Sequence, residues 1–217
     1  MLDFTFDSAK AAEYGVVCGT DEAGRGPLCG PVVAAAVVLP EGLILEGLDD
    51  SKKLTEKKRE KLYHIIMENA LAYGIAQASP EEIDEYNILA ASLLAMRRAV
   101  EQVKQTVIPG VVLIDGNRQT DFGVPSVTVV HGDAVSPSIA AASVLAKVTR
   151  DRIMTALAAE YPGYGLEKHK GYPTAEHMLA VYELGPAPIY RRSFLRFLER
   201  DHDKLEEALR KKREEQP

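Results

Sequence analysis

Short runs of apolar residues along this chain alternate with longer segments in which apolar and charged residues recur at helical spacing. The runs are rich in Val, Ile and Ala, which is typical of β-strands. The predicted strands are residues 15–20, 31–39, 72–77, 111–115 and 126–130. Helical patterns separate the later strands, so we predict an α/β protein with a mixed five-stranded sheet flanked by helices.

The connection between the first two predicted strands is short. Gly26-Pro27 and Gly30-Pro31 interrupt it, and neither pair suits a helix start. A short turn joins antiparallel neighbours, so the first two strands are predicted to pair in that way.

Helices are predicted in four places. Ser79-Pro80-Glu81-Glu82 has the form of a capping box, and it opens a helical segment whose apolar stripe carries Leu89, Leu93, Met96 and Val100. We expect this segment to return the chain to a parallel partner strand. The other helices are predicted from near Ser136-Pro137 to before Pro162, from Thr174 to Gly185, and over residues 194–214 as a C-terminal extension.

Composition bounds the class of protein. The 217 residues, 46% of them hydrophobic, can bury one substantial core. The longest apolar stretch, Val32 to Leu39, is too short to cross a bilayer, and no basic region precedes an apolar segment at the N-terminus. We therefore expect a soluble, cytoplasmic protein with no membrane partner, in which Cys18 and Cys29 are buried free thiols. We also expect a monomer.

The net charge of −6 argues against a nucleic-acid partner, because such proteins are commonly basic. Its distribution weakens that objection. Residues 1–50 carry nine acids and two bases, whereas residues 147–200 carry nine bases and six acids. Four cations of the second segment could contact phosphates or form a solvated charged face: Lys168, Lys170, Arg191 and Arg192.

Four carboxylates follow predicted strands. Asp21 and Glu22 end the first strand, Asp115 ends the fourth, and Asp133 comes after the fifth. If these strand ends converge, the oxygen ligands favour Mg²⁺ or Mn²⁺ over Zn²⁺. Each Asp alone is more often a turn or helix cap, and Asp21-Glu22 beside Arg25 could be a surface ion pair.

Glycines after the first strand imitate a dinucleotide-binding fingerprint. Gly24, Gly26 and Gly30 have the spacing GxGxxxG, and the prolines between them favour a turn into another strand over a helix start. This spacing gives a Rossmann interpretation little support.

Several segments together resemble one known family, bacterial ribonuclease HII. They are Gly19 to Pro27 with Gly30 to Ala35, Leu113 to Asn117, Gly132-Asp133, Ser138 to Asp151, Tyr161 to Gly165, His169 to Thr174, and Arg191 to Phe194. They stand in the family's order and span residues 15–194. The resemblance implies a ribonuclease H-like fold, with a catalytic domain over residues 1–193 and a helical tail over 194–217.

The resemblance also implies an activity. The expected enzyme hydrolyses the RNA strand of RNA–DNA hybrids and cuts 5′ to single ribonucleotides embedded in duplex DNA, leaving 5′-phosphate and 3′-hydroxyl ends. Two Mg²⁺ or Mn²⁺ ions, about 4 Å apart, would be held by Asp21, Glu22, Asp115 and Asp133. We expect Asp21 to bridge the two ions. Removal of misincorporated ribonucleotides and primer RNA is the implied cellular role.

Substrate contacts follow from the same resemblance. The loop of Gly24, Arg25 and Gly26 resembles the family element that contacts ribose 2′-hydroxyls, although its glycines could equally serve a tight turn. Tyr164 would stack near the junction of ribonucleotide and deoxyribonucleotide, or else pin its loop to the core. Ser143 and Lys147 are spaced to contact phosphate from one helical face, or to face solvent.

Two other classes of protein remain open from the sequence. One is a DNA-directed metal nuclease or integrase-like enzyme on the same fold, which only the Gly-Arg-Gly loop and Tyr164 oppose. The other is a noncatalytic module that binds hybrids, which a full set of four acids opposes.

Overall fold

The computed structural model describes residues 4–48, 51 and 54–215. Its centre is a mixed sheet of five strands in the order β3-β2-β1-β4-β5. The strands are β1 (Val17–Ala23), β2 (Val32–Val38), β3 (Ala72–Ala78), β4 (Val111–Asp115) and β5 (Ser126–Val129). The predicted α/β class and mixed five-stranded sheet are confirmed.

Strand directions divide the sheet into two parts. β1, β2 and β3 are antiparallel neighbours, so the antiparallel pairing predicted for the first two strands is confirmed. β4 pairs in parallel with β1, and β5 pairs in parallel with β4. The carboxyl ends of β1, β4 and β5 therefore meet at one edge of the sheet.

Nine α-helices lie within the described ranges. They are α1 (Thr5–Tyr14), α2 (Glu56–Asn69), α3 (Pro80–Tyr86), α4 (Ile88–Lys104), α5 (Pro137–Glu160), α6 (Leu166–His169), α7 (Ala175–Leu184), α8 (Phe197–Arg200) and α9 (His202–Glu215). The sequence patterns predicted neither α1 nor α2. In this part of the chain no helix is long and apolar enough to cross a membrane.

The helical segment that follows β3 is broken, whereas the sequence predicted no break. The capping box of Ser79 and Glu82 opens α3 as expected. Asn87 then takes a left-handed φ of 69°, and its side chain accepts the N–H groups of Leu89 and Ala90 at the start of α4. Asn is a favoured N-cap residue, so one residue ends the first helix and starts the second.

Helices cover both faces of the sheet. β2 is buried along its whole length, and its alternate residues belong to different cores. Ala34 and Ala36 pack with residues of α4, whereas Ala35 and Val37 pack with residues of α2 and α5. Because side chains alternate along a strand, a strand buried on both faces is apolar throughout.

Helix α5 begins in direct contact with β1. A Cβ at Gly19 would lie 2.2 Å from the backbone carbon of Ser138, so only glycine fits there. This contact fixes the distance between α5 and β1, the strand that carries Asp21. Two later residues of α5, Ser143 and Lys147, then face the same sheet edge.

The C-terminal residues pack on the body of the protein. Phe197 and Leu205 join a core cluster that also contains Cys29 and Met154. The helix predicted over residues 194–214 is divided into α8 and α9, with the break at Asp201. Both cysteines are free and buried, as predicted.

Candidate active site

The carboxylates of β1 lie inside the strand and not after it. β1 runs to Ala23, and the prediction that it ends at residue 20 was wrong. Its pairing with β4 ends at Thr20 opposite Ile114, so the next residues along these parallel neighbours are Asp21 and Asp115. Neighbouring strands lie roughly 4.8 Å apart, which brings these two acids side by side at the carboxyl edge.

A cleft of about 530 Å³ opens at this edge. Three of the four predicted carboxylates line it, namely Asp21, Glu22 and Asp115. The other predicted residues that line it are Gly24, Arg25, Gly26, Ser143 and Lys147. The topology thus gathers residues from β1, β4 and α5, all far apart in sequence, into one concave site.

Asp133 stands next to this cleft and is not one of the side chains that line it. It is 7% exposed and lies in a 3₁₀ turn, Gly132–Ala134, just before α5. The neighbouring Gly132 N–H donates a hydrogen bond of 2.7 Å to Oδ1 of Asp115. That bond ties the turn of Asp133 to the carboxylate at the end of β4.

Electrostatic repulsion is concentrated at Asp21. Burial is the largest cause that raises its pKa well above the ordinary value, and the charges of Glu22 and Asp115 raise it further. Hydrogen bonds from the Glu22 N–H and the Ser143 hydroxyl act in the opposite direction. A buried carboxylate between two others is stabilised as an anion by a cation, and a divalent metal serves this purpose best.

The donor set suits a hard divalent ion. The cleft offers carboxylate oxygens from Asp21, Glu22 and Asp115, and the described residues that line it include no histidine and no cysteine. Among the described residues, no three Asp, Glu, His or Cys side chains already stand close enough together to hold one ion. Mutual repulsion separates carboxylates, and a bound cation draws them together.

The loop after β1 is shaped by glycine. Gly24 has a φ of +104°, and a Cβ there would lie 2.1 Å from Nε of Arg150. The side chain of Arg25 is 52% exposed and pairs with Glu22 at 3.3 Å. The chain then enters β2 and not a helix, so the dinucleotide-binding interpretation is excluded.

Ser143 and Lys147 take different positions on α5. Ser143 is buried, and its hydroxyl forms a 2.7 Å hydrogen bond with that of Ser51 as well as bonding Asp21. Lys147 is half-buried and donates to Asp151 at 2.7 Å. Ser143 therefore supports the carboxylate of Asp21, while the ammonium of Lys147 borders the cleft.

Tyr164 does not line this cleft. It is 8% exposed, packs 5.3 Å from the ring of Tyr190, and donates its hydroxyl to the Gly185 carbonyl at 2.6 Å. These contacts match the packing alternative for Tyr164. Tyr172 is the aromatic residue of the cleft: it is 42% exposed, and its Cε1 would lie 3.6 Å from a Cβ at Gly26.

Two further polar residues of the cleft, Ser51 and Arg59, were not predicted from the sequence. Arg59 of α2 donates to the Ser51 carbonyl at 2.9 Å, which holds Ser51 near Ser143. Their sequence signal is faint, because both lie in charged surroundings that resemble a solvated surface. Tyr172 had a clearer signal, since it is flanked by Gly171 and Pro173 in the same way that Tyr164 is flanked by glycines.

Comparison with known proteins identifies the family. The family model "Ribonuclease HII" matches residues 18–197. The chain is 58% identical to the ribonuclease HII of Azoarcus sp. (strain BH72) over 179 residues, which cover 82% of this chain and 87% of that protein.

Two solved structures agree in fold. The ribonuclease H2 of Pyrococcus horikoshii OT3 superposes with a TM-score of 0.66 at 28% identity, covering 90% of this chain and 99% of that one. The ribonuclease HII of Archaeoglobus fulgidus, solved in complex with PCNA, has a TM-score of 0.70 at 25% identity and covers 82% of this chain and 93% of that one. With its carboxylate cleft at the edge of a ribonuclease H-like sheet, this chain belongs to the ribonuclease HII family of metal-dependent nucleases, which act on the RNA of RNA–DNA hybrids.

Proposed function

We propose that this protein cuts RNA–DNA hybrids and also duplex DNA that contains a single ribonucleotide, on the 5′ side of that ribonucleotide. The observation that carries the proposal is the joint placement of Asp21, Glu22 and Asp115 in a cleft whose rim carries the Gly-Arg-Gly loop and an exposed tyrosine. The products would be 5′-phosphate and 3′-hydroxyl ends. Such a cut serves the removal of misincorporated ribonucleotides and of primer RNA.

The proposed cofactors are two Mg²⁺ or Mn²⁺ ions. Asp21, Glu22, Asp115 and Asp133 would hold them, and Asp21 would be shared between both, because the charges of Glu22 and Asp115 both act on it. Divalent ions of this kind supply an activated water and stabilise the departing 3′-oxygen. Ser143 and the Glu22 N–H, both bonded to the Asp21 carboxylate, would keep it oriented for this purpose.

The rim of the cleft would bind the substrate. Gly24 and Gly26 carry no side chains, so the backbone between them can come close to a sugar. Arg25 is exposed enough to reach a phosphate as well as Glu22. Tyr172, beside Gly26, takes the stacking role that the resemblance assigned to Tyr164, because Tyr172 faces the cleft.

Lys147 of α5 is the proposed phosphate contact. Its ammonium borders the cleft while it is paired with Asp151. A nucleic-acid phosphate would compete for this cation, and release of Asp151 would leave that carboxylate to Arg59, which already lies 4.0 Å from it. Lys147 can therefore change partners without leaving a carboxylate unpaired.

The deciding experiment uses three matched duplexes: an RNA–DNA hybrid, a DNA duplex with one ribonucleotide, and the same duplex made entirely of DNA. Each is incubated with Mg²⁺ and with Mn²⁺, and the cut sites are mapped. We expect cleavage of the first two, with a single cut 5′ to the ribonucleotide in the second. Cleavage of the all-DNA duplex would support the DNA-directed alternative instead. Light scattering of the same preparation tests the expected monomer.

A further inference from the structure

We propose that two buried arginines, Arg191 and Arg150, are positioning residues that set the conformation of the loop over residues 24–31, here called the substrate loop, so that its backbone N–H groups face the cleft. The inference rests on the proposed use of this loop as a substrate contact. Neither arginine lines the cleft, so they act on the substrate only through the loop.

Arg191 is bonded to the substrate loop at four points. It is fully buried, at 0% exposure. Its guanidinium donates to the carbonyls of Gly24 at 2.7 Å, Arg25 at 3.1 Å, Pro27 at 2.7 Å and Gly30 at 3.0 Å. A single planar side chain thus collects four carbonyl oxygens from seven consecutive residues, a task that suits the fixed fork of arginine.

Arg150 connects the substrate loop to the segment that carries Tyr172. It is 1% exposed and donates to the carbonyls of Cys29 at 3.2 Å and Pro31 at 3.1 Å. Its remaining hydrogen bond, at 3.1 Å, goes to the carbonyl of Lys170. One side chain of α5 therefore fixes the distance between the two rims of the cleft, one bearing Arg25 and the other Tyr172.

The two guanidinium groups are costly to bury. Neither has a carboxylate within 4.0 Å among the described residues, so their hydrogen bonds go to backbone carbonyls, while Asp84 and Asp151 act on them only from a longer distance. Burial and the charge of Arg150 lower the pKa of Arg191 to about 9, which still leaves it protonated at neutral pH. A loop with no task in binding could be tied down by neutral groups at lower cost, so this arrangement points to a functional demand on the loop.

The geometry of the peptide bond shows which groups of the substrate loop the two arginines orient. In a trans peptide the C=O and the following N–H point in opposite directions. The carbonyls of Gly24 and Arg25 point inward to Arg191. The N–H groups of Arg25 and Gly26 consequently point outward, and both of these residues line the cleft. Two adjacent amide donors of this kind bind a phosphate or a ribose oxygen.

The test compares four variants with the parent enzyme: Arg191→Lys, Arg150→Lys, Arg25→Ala and Val181→Ala. Lysine keeps the charge but cannot reach four carbonyls at once. Val181 is fully buried in the cluster that also contains Leu28 and Cys29 of the substrate loop, so Val181→Ala serves as a control that weakens the packing beneath the loop without removing a hydrogen bond to its carbonyls. Single-turnover cleavage of an RNA–DNA hybrid is measured over a range of enzyme concentrations, well below each variant's melting temperature, beside calorimetric Mn²⁺ binding.

We expect Arg191→Lys and Arg150→Lys to raise the half-saturating concentration about tenfold or more, because charge-assisted bonds that shape the loop are lost. Their Mn²⁺ affinity should stay within about twofold of the parent, since no carboxylate is disturbed. Val181→Ala should melt earlier and bind substrate normally. Each lysine variant tests the inference by itself, so if one of them does not fold, the other still decides.

Three results would overturn the inference. If both lysine variants bind hybrid as the parent does while Arg25→Ala binds poorly, the loop contacts substrate without needing the arginines. If none of the loop variants, Arg25→Ala included, affects binding, the proposed substrate loop is itself wrong. If Val181→Ala loses binding as strongly as Arg191→Lys, the arginines act only through general stability.

Discussion

The two tyrosines, Tyr172 and Tyr164, give a direct test of how the cleft recognises its substrate. Replacing Tyr172 by alanine removes the exposed ring beside Gly26. Stacking of one base on an aromatic side chain contributes roughly 1–3 kcal/mol. If that contact forms at the cut site, single-turnover cleavage at an isolated ribonucleotide should slow by roughly 5- to 150-fold.

Tyr164 should respond in the opposite way. Its ring is buried against Tyr190, so Tyr164→Ala should lower the free energy of unfolding by about 3–5 kcal/mol. Tyr164→Phe removes only the hydroxyl that donates to Gly185, which should cost about 1 kcal/mol of stability. Neither substitution removes a group that lines the cleft, so folded enzyme should cleave at the parent rate.

The assay uses a duplex with one ribonucleotide, an excess of enzyme, and rapid quenching, with urea unfolding of each variant as the stability measurement. Tyr172→Phe is the matched control for Tyr172→Ala, because it keeps the ring and should retain most of the rate. A folded Tyr164→Phe that cuts slowly, together with a fully active Tyr172→Ala, would refute this assignment and restore Tyr164 as the residue that senses the junction.

Three further predictions concern the carboxylates, the loop and the buried histidine. Asp133→Asn should abolish cleavage and leave metal-free stability equal or slightly higher, because one of four repelling charges is removed; near-normal turnover of a folded variant would take Asp133 off the ligand set. Gly24→Ala should cost at least about 1–3 kcal/mol in urea unfolding and impair hybrid binding, since its Cβ would meet Arg150 at 2.1 Å; full stability would mean that the loop can move aside. Burial lowers the pKa of His177 to about 4, below its ordinary value, so the unfolded chain binds more protons and stability should fall as the pH drops from about 6.5 toward 4. His177→Phe should flatten that dependence in urea titrations between pH 7 and pH 5, and an unchanged slope would show that other groups cause it.

Much of the sheet and the carboxylate edge was predictable because their signals are local. β2 and β4 are apolar runs bounded by glycine and proline, and the acids come at or near strand ends. Helix α2 escaped prediction because it is highly charged, with only Leu62, Tyr63 and Ile66 buried. From the sequence alone, such a segment looks like a solvent-exposed surface, because so few of its residues contact the core.

Other features depend on contacts between distant residues and leave no local trace. Arg191 was assigned to a phosphate contact or a solvated face, since charged side chains are seldom buried. The structure buries it instead against carbonyls about 160 positions earlier in the chain. Tyr164 and Tyr172 each follow a glycine in the sequence. Their environments differ because Tyr164 packs against Tyr190 and bonds the Gly185 carbonyl.

The order of strands has a consequence for how the protein is made. The first three strands can pair as soon as residue 78 has left the ribosome, but one edge of β1 then stays open until β4 is synthesised, more than thirty residues later. Open edges invite pairing with other chains. A truncated product that ends before residue 111 would carry Asp21 and Glu22 on an unprotected strand, so this protein should aggregate when translation stops before β4 is made.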